Sequence, residues 1–400
     1  MAPLSIISAT PPSINPGMVL SDAASAAFVA TNGFEARHWR LVPLGERVAP
    51  LDDATLREAI IRGCDVGIPY GTLSSPDDLD GTIPLFWGDF LHESLYRGVL
   101  AILYPARGDL IRDALLLRGA FARHAGGHAT FGTTFLHNRT RDYDAGYAED
   151  LYRFIRTAGA LQLRDVHSAA IAQSLRPETE SCLGIDAVQL LHLPAYRERV
   201  LGSATPPHRD GVGVFFARYR HEPEPLRALV AGLAAAAGGR TRWLDWGDRL
   251  SFPFGAALRE AFATEPPSLV HPVDLARQVA SSALIVTDTY HCAVTAWALG
   301  VPAVMVLGEP HGEEIAVDPL HFLTRIDKRA TFFHQAGLND FVVPPRLVTK
   351  PEHVTAYIAR LAADWLGDGA ARLGPLIDRL AGFAARCEQR LATRLRQRAG

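Results

Sequence analysis

Residues 282–307 constrain the fold of this 400-residue chain more tightly than any other stretch. The apolar run 283–286 has the length of a buried strand, and a polar turn, residues 287–290, follows it. A helical run then extends over 292–299 and ends at Gly300, after which a second apolar strand begins. Strand, turn, helix and strand in this order form one βαβ unit, which requires two parallel strands in one sheet.

The polar turn is the first place to look for a ligand. In open α/β sheets, ligands bind at the carboxyl ends of the strands, beside the N-termini of helices. His291 lies in the first turn of the predicted helix, where the positive end of the helix dipole favours the neutral imidazole. We therefore name His291 and Asp288 as candidate catalytic residues, although Asp288 or Thr289 could serve only as a helix cap.

The same turn resembles that of polysaccharide pyruvyl transferase-like proteins, which carry a T-D-S-F-H-G type turn before a helix that ends in G-x-P. Here the turn reads TDTYHC over 287–292 and the helix ends in GVP at 300–302. The histidine is retained as His291. The chain departs from the pattern at Cys292, where glycine is usual, and at Thr289, where another branch of the family has arginine.

Shorter phrases repeat the resemblance in the family's order over most of residues 84–345. A turn ending in Asp89 is similar to the family's N-x-G-D turn, and Arg164 begins an R-D-x-x-S turn. Within that turn, Asp165 is well placed as the N-cap of the helix that follows. The segment 184–186 matches a family pattern in which Asp follows the strand that closes the first domain. Lys328 precedes a G-L-x-D phrase at 337–340. Each phrase is short, and Asp89 is equally well explained as a helix cap.

The order of predicted elements indicates an α/β protein with two Rossmann-like lobes, similar to the glycosyltransferase-B architecture, and a C-terminal helical tail. We predict a partly ordered N-terminal extension over residues 1–80 and an N-terminal α/β lobe over 81–205. A C-terminal α/β lobe with the donor site follows over 206–345, and the tail occupies 346–400. The change to a Pro- and Arg-rich composition at 194–210 sets the boundary between the lobes.

Composition excludes several classes of function. The net charge of −3 gives no reason to propose a nucleic-acid-binding surface. The four cysteines are scattered, which is typical of reduced thiols, and no apolar run approaches the roughly 18–20 residues of a membrane span. We expect a cytoplasmic protein without a signal peptide. The sequence has no G-x-G-x-x-G fingerprint and no ligand spacing for a metal, so we predict neither a cofactor nor a metal.

The resemblance implies transfer of a pyruvyl group from phosphoenolpyruvate to hydroxyls of a sugar or glycan precursor. The donor's carboxylate and phosphate require Arg or Lys, and the sugar hydroxyl requires a base. Together with the catalytic candidates, we predict the following substrate-binding residues: Arg218, Arg220, Thr289, Tyr290, Lys328, Glu309, Asp89 and Arg164. Lys328 and Lys350 are the only lysines among 40 basic residues, which makes Lys328 unusual within its own chain.

Two other functions remain open. A glycosyltransferase of the same two-lobed build would use a nucleotide-sugar donor, and a non-catalytic sugar-binding protein would keep the fold without turnover. In each case the partners are a small-molecule donor or ligand and a sugar, with no nucleic acid. A peripheral association with membranes through a lipid-linked acceptor, and a homo-oligomer, are further alternatives that the sequence leaves open.

Overall fold

The computed structural model describes most of the chain, namely residues 2–8, 15–42, 65–88, 92, 104–135, 145–177, 182–203, 208–219, 223–237, 239–246, 256–263, 270–307, 316–317, 323–324, 327–348 and 350–399. Among these residues, two parallel sheets form separate α/β lobes, and long helices at the C-terminus pack against them. The predicted architecture of two Rossmann-like lobes with a helical tail is confirmed.

The N-terminal lobe is built on a six-stranded parallel sheet with the order β3-β2-β1-β4-β5-β6. Its strands are β1 (Leu4–Ser8), β2 (Ala36–Arg40), β3 (Tyr70–Thr72), β4 (Ile83–Trp87), β5 (Ala129–Thr133) and β6 (Ala160–Leu163). The strand order reverses between β1 and β4, which pair in parallel with Leu4 opposite Ile83. Such a reversal opens a crevice at the carboxyl ends of the strands.

The predicted N-terminal extension over residues 1–80 is wrong. Strand β1 lies in the middle of the sheet, between β2 and β4, and helix α1 (Pro16–Asn32) packs beside it. Twelve of the 17 residues of α1 are buried, so this helix lacks the polar face by which an amphipathic helix is recognised in a sequence. A short apolar strand followed by an Ala- and Ser-rich buried helix therefore gives no periodic pattern by which the sequence could place it in the first lobe.

The other helices of this lobe are α2 (Gly108–Leu115), α3 (Ala145–Thr157) and α4 (Val166–Leu175). After β6 and α4 the chain forms a 3₁₀ helix, Ala187–His192, and then α5 (Pro194–Leu201), which leads toward the second lobe. Earlier 3₁₀ helices cover Pro76–Leu79, Pro105–Arg107 and Gly119–His124.

The C-terminal lobe has a five-stranded parallel sheet with the order β13-β10-β9-β7-β8. Its strands are β7 (Val212–Phe215), β8 (Thr241–Trp243), β9 (Leu284–Thr287), β10 (Ala303–Val306) and β13 (Val342–Val343); β11 (Ala316–Val317) and β12 (Leu323–Thr324) form a separate antiparallel pair. Its helices are α6 (Pro223–Ala236), α7 (Ala256–Phe262), α8 (Pro272–Ala280), α9 (Tyr290–Ala298) and α10 (Lys328–Gln335). The βαβ unit predicted from residues 282–307 is β9-α9-β10.

The C-terminal tail is helical, with α11 (Pro345–Val348), α12 (Pro351–Trp365) and α13 (Leu373–Ala399). The 27-residue helix α13 returns to the first lobe, because the backbone N–H of Ala2 donates to the carbonyl of Ala399 over 3.2 Å. The Asn32 side chain at the end of α1 donates to Glu388 over 2.6 Å. Nη2 of Arg379 in the same helix donates to the carbonyl of Ala336 in the second lobe over 2.8 Å, so the last helix contacts both lobes. No helix in the described part of the chain is both long and apolar enough to cross a membrane.

Candidate functional site

The carboxyl ends of two strands, the last strand of the first sheet and the middle strand of the second, meet in the cleft between the lobes. Strand β6 of the first lobe ends at Leu163 and continues into Arg164, and strand β9 of the second lobe ends at Thr287 and continues into the turn before α9. A small cavity in this cleft is lined by residues of both lobes: Thr134, Arg164, Asp165, Tyr290, Lys328, Thr331, Phe332 and Gln335. Three of the residues predicted from the sequence, Arg164, Tyr290 and Lys328, therefore line one cavity.

His291 lies in this cleft with only 5% of its surface exposed. Its Nε2 atom is 3.7 Å from Oδ2 of Asp186, a residue of the opposite lobe. Asp186 caps the 3₁₀ helix 187–192 with its other oxygen, because Oδ1 accepts a hydrogen bond from the amide of Val188 over 3.1 Å. The second oxygen is thereby aimed across the cleft at the imidazole.

Burial keeps the His291 imidazole neutral. It lowers the pKa of His291 to about 3, and the positive charges of Lys328, Arg164 and Arg218 act in the same direction. The carboxylate of Asp186 opposes this shift but does not overcome it. At neutral pH the ring is consequently unprotonated but weakly basic, and the arrival of an anionic ligand among these cations would raise its pKa and strengthen it as a base.

Tyr290 is the centre of a cluster of cations. The guanidinium carbon of Arg164 lies 5.1 Å from the centroid of the Tyr290 ring, and Nζ of Lys328 lies 5.6 Å from it. Burial raises the pKa of Tyr290 well above its usual value, and the neighbouring charge of Asp186 raises it further, so the phenol stays protonated. Arg164 is almost fully buried and lies 3.9 Å from Asp186. The two cations approach the ring from different lobes.

Asp288 has an architectural role, which corrects its assignment as a catalytic residue. Its carboxylate accepts hydrogen bonds from three successive backbone amides after β7, those of Ala217 at 2.9 Å and of Arg218 and Tyr219 at 2.7 Å each. The hydroxyl of Thr289 donates a fourth bond over 3.1 Å. A carboxylate with all these bonds, and only 1% exposure, holds two loops together and has no oxygen left for substrate.

The other predicted binding residues of the second lobe occupy distinct positions. Thr289 precedes α9 at the cap position, where its side chain makes no cap hydrogen bond and turns to Asp288 instead. The side chain of Arg218 is exposed, yet its charge acts on His291, which places it at the mouth of the cleft. Lys328 begins α10 and is half-buried. Arg218 and Lys328 therefore border the cleft that an anionic ligand would enter.

Arg329, in the first turn of α10, is a further charged residue beside the candidate site that the sequence analysis did not predict. Its guanidinium bonds the carboxylate of Asp327, at distances of 2.6 to 3.1 Å, and donates to the backbone carbonyl of Asp288 over 3.2 Å. The side chain is 5% exposed. Arg329 thus anchors the start of α10, and with it Lys328, to the turn that carries His291.

A single glutamine bridges the lobes at the cavity. Nε2 of Gln335 donates to the carbonyl of Arg164 over 2.8 Å, and its Oε1 accepts from the amide of Val166 over 3.2 Å. Asp165, predicted as a helix cap, is confirmed in that role, since its Oδ1 accepts from the amide of Ser168 over 2.7 Å. The turn after β6 is consequently held both by its own cap and by the second lobe.

The N-terminus of α1 touches His291 directly. A Cβ atom added at Gly17 would lie 2.2 Å from Cβ and 2.3 Å from Cγ of His291, so only glycine allows this approach. Pro16 occupies the first turn of the helix, where its missing N–H is not needed. The first helix of one lobe and the first turn of α9 in the other therefore meet at the imidazole.

Three predicted site residues, Asp89, Arg220 and Glu309, lie outside the described residues. Within the described ranges, no group of His, Cys, Asp and Glu side chains is arranged to hold a metal ion.

Sequence reasoning missed the site roles of Asp186, Gln335 and Gly17. For Asp186 a signal existed, because an acidic residue directly follows an apolar segment at 184–185 and could have been placed at a sheet edge. For Gln335 and Gly17 no local signal was available, since their roles arise from contacts with the other lobe.

No family model matches the chain, and no curated protein matches it. Solved structures are similar in fold. The UDP-GlcNAc 2-epimerase from Neisseria meningitidis, bound to UDP-GlcNAc, has a TM-score of 0.54 and 10% identity, over 98% of this chain and 99% of that one. S. aureus MnaA with UDP has a TM-score of 0.46 and 11% identity, with coverage of 98% and 95%. A trehalose 6-phosphate synthase from Burkholderia multivorans has a TM-score of 0.42 and 13% identity, over 100% of this chain and 99% of that one.

The similarity to the Neisseria epimerase covers both chains from end to end, so it concerns the arrangement of the whole molecule. At 10% identity it establishes the fold and nothing beyond it. The chain accordingly has the two-lobed glycosyltransferase-B-like fold, with the candidate site in the cleft between the lobes.

Proposed function

We propose that this chain is a pyruvyl transferase-like enzyme that moves a pyruvyl group from phosphoenolpyruvate to two hydroxyls of a sugar. The observation that supports this most is the convergence of Arg164 and Lys328, from opposite lobes, on the ring of Tyr290 beside a neutral His291. A small donor with a carboxylate and a phosphate needs cations on more than one side. The resemblance of the 287–302 segment to that family agrees with the same chemistry.

The reaction conserves atoms and charge without an oxidant or a reductant. One sugar hydroxyl adds to C2 of the enol while C3 gains a proton and becomes a methyl group. The C2–O bond to phosphate breaks, and the second hydroxyl forms the other bond of a cyclic ketal. Of the two protons that the hydroxyls lose, one is balanced by the proton on C3 and the other leaves with phosphate.

The residues of the cleft suit these steps. In this proposal Lys328 and Arg218 bind the donor's phosphate and carboxylate, and Arg164 supplies the opposing charge from the first lobe. His291 accepts the proton of the attacking hydroxyl, and Asp186 stabilises the imidazolium that forms. Tyr290 stays protonated and donates a hydrogen bond. Bound donor raises the low pKa of His291, which makes the base stronger only when substrate is present.

Calorimetry with phosphoenolpyruvate tests the donor site. Wild type should bind it, and Lys328→Met should weaken binding by roughly tenfold or more, since a charge-assisted contact contributes about 1.5–3 kcal/mol. Lys350→Met is the matched control, because it removes the chain's other lysine, which is exposed at the start of α12. Equal binding in wild type and Lys328→Met would remove Lys328 from the site.

A turnover assay tests the chemistry. Release of phosphate from phosphoenolpyruvate should depend on a sugar acceptor, and His291→Asn should lower kcat by about 100-fold or more while leaving donor binding largely intact. Donor binding without turnover against any acceptor, unchanged in His291→Asn, would support a non-catalytic binding protein instead.

A nucleotide-sugar enzyme is the second candidate. The observation that favours it is the end-to-end similarity in fold to an epimerase bound to UDP-GlcNAc, at a TM-score of 0.54. The same calorimetric binding assay distinguishes the two proposals. Binding of UDP-GlcNAc, with no heat from phosphoenolpyruvate at millimolar concentration, would replace the pyruvyl transfer proposal by this one.

A further inference from the structure

A second cavity lies within the C-terminal lobe and is hereafter called the β8 cavity. Its volume is about 420 Å³, which is in the range of roughly 300–1,000 Å³ found for small-molecule sites. Its walls come from the start of β7, from β8 at the end of the sheet, and from helices α7 and α8. Ser282, just before β9, lines the β8 cavity, whereas Tyr290, just after β9, lines the cavity in the cleft. Among the described residues the two cavities share no lining residue, so they are separate sites.

The more buried wall of the β8 cavity is a bonded group of three side chains. Oδ1 of Asp245 accepts hydrogen bonds from Nε1 of Trp243 and from Nε of Arg259, each over 3.1 Å. The side chains of Arg259 and Asp245 are only 18% and 17% exposed. The indole of Trp243 also packs against Phe215, with 5.7 Å between the ring centroids. This wall is therefore fixed in place, and the charge of its carboxylate is balanced by Arg259.

Two exposed arginines, Arg240 and Arg242, form the solvent-facing wall. They are two residues apart on an extended segment, so their side chains project to the same side of it. The carbonyl of Arg240 accepts from the amide of Val212 over 2.7 Å, and a Cβ atom at Gly211, whose φ is 63°, would lie 2.8 Å from the same oxygen. Nη1 of Arg242 donates to the hydroxyl of Ser281 over 3.3 Å. Both arginines are therefore positioned by the fold, although their side chains remain open to solvent.

The charges of the β8 cavity do not balance within its walls. Arg259 and Asp245 pair with each other, whereas no carboxylate of the described residues forms an ion pair with Arg240 or Arg242. Asp210, which is exposed, is the other carboxylate of the lining. The remaining polar side chains are neutral and can exchange hydrogen bonds with hydroxyl groups; they are Thr241, Gln278 and Ser282. The cavity therefore suits a small ligand that carries both an anionic group and hydroxyls.

We propose that the β8 cavity binds a phosphorylated sugar. The phosphate accepts charge-assisted hydrogen bonds from the guanidinium groups of Arg240 and Arg242, which are suited to phosphate by their planar geometry. Hydroxyls of the sugar donate to the carboxylate of Asp210, and the ring lies along the indole of Trp243, as in pockets that combine an aromatic wall with a few polar groups. Because the backbone already positions both arginines, little ordering of the chain opposes binding. This site does not depend on the proposed transfer reaction.

Calorimetry of the full-length protein with glucose 6-phosphate and glucose 1-phosphate tests this site. Arg240→Gln and Arg242→Gln should each weaken binding at least roughly tenfold, the loss expected for one charge-assisted hydrogen bond. Arg227→Gln is the matched control, because Arg227 is an exposed arginine on α6 of the same lobe. Lys328→Met removes a cation of the cleft and should leave the β8 cavity intact. No heat with either compound in Lys328→Met at millimolar concentration, or equal affinity in wild type and both Arg→Gln variants of the cavity, would overturn the proposal.

Asp210→Ala separates a sugar phosphate site from a patch that attracts any anion. In the proposed site the substitution removes an acceptor for the sugar hydroxyls, so it should weaken sugar phosphate binding roughly tenfold. It should leave the affinity for inorganic phosphate unchanged or raise it, because it also removes a repelling negative charge. Tighter binding of both the sugar phosphate and inorganic phosphate in Asp210→Ala would mean electrostatic attraction alone and would overturn the assignment to a phosphorylated sugar.

Discussion

Substituting Asp288 by asparagine should open the loop after β7. The aspartate Oδ2 accepts from the amides of Arg218 and Tyr219 at 2.7 Å each, and Oδ1 accepts from the amide of Ala217 at 2.9 Å and the hydroxyl of Thr289 at 3.1 Å. The asparagine oxygen can replace one carboxylate oxygen, but its NH₂ group must face the donors of the other. At least one buried amide is then left without an acceptor, and the remaining bonds lose their charge assistance.

The expected loss follows from these bonds. An unsatisfied buried donor costs about 1–3 kcal/mol, and charge-assisted bonds weaken by roughly half when the charge is removed. The two effects together should lower the free energy of local opening of this loop by about 2–4 kcal/mol. Since every 1.4 kcal/mol is a factor of ten, hydrogen exchange at the three amides should accelerate roughly 30- to 700-fold.

Hydrogen exchange measured by mass spectrometry reports on residues 217–219 directly. Asp274→Asn is the control, because Asp274 is about half exposed in a surface pair with Arg277, and such pairs contribute only about 0–1 kcal/mol. Exchange at 217–219 that stays within about threefold of wild type in Asp288→Asn would refute the architectural role assigned to this carboxylate. Lost catalysis without faster exchange would return Asp288 to the list of catalytic candidates.

Three further outcomes follow from the same structure. Gly17→Ala should displace His291 or α1, because the new Cβ would lie 2.2 Å from the His291 side chain. The overpacking should lower the free energy of unfolding by about 1–3 kcal/mol, measured in melting experiments. Gly126→Ala is the control and should be neutral, since open space surrounds that residue. Burial lowers the pKa of His128 to about 4, so the unfolded chain binds a proton at higher pH than the folded one, and stability falls as pH drops from about 6.5 toward 4. His128→Phe should therefore reduce the pH dependence of the unfolding free energy in this window, by up to about 1.4 kcal/mol per pH unit, and an unchanged slope in denaturation curves would contradict the burial argument. Gln335→Ala removes two hydrogen bonds across the cleft and should reduce the free energy that favours the closed arrangement of the lobes by about 1–3 kcal/mol. X-ray scattering should then give a larger radius of gyration, and identical scattering would mean that other contacts keep the cleft closed.

Predictions from the sequence succeeded where a structure depends on neighbours along the chain. The β9-α9-β10 unit, the helix cap at Asp165 and the C-terminal helices follow from local hydrophobic periodicity, turn residues and capping side chains. The same reasoning located His291 at the carboxyl edge of a parallel sheet, since a βαβ unit determines that edge on its own. It failed for β1 and α1, whose burial on all sides leaves no periodic pattern.

The sequence by itself therefore determined the two α/β halves and the strand ends that flank the candidate site. The pairing of Asp186 with His291, the approach of Gly17 and the bridge made by Gln335 were decided only by the tertiary structure. So was the role of Asp288, because its partners lie about 70 residues earlier in the chain. The physical reason is that each of these depends on the packing of one lobe against the other or of one loop against another. Hydrophobic pattern and capping are properties of short segments, whereas the distance between two residues far apart in the chain depends on the whole fold.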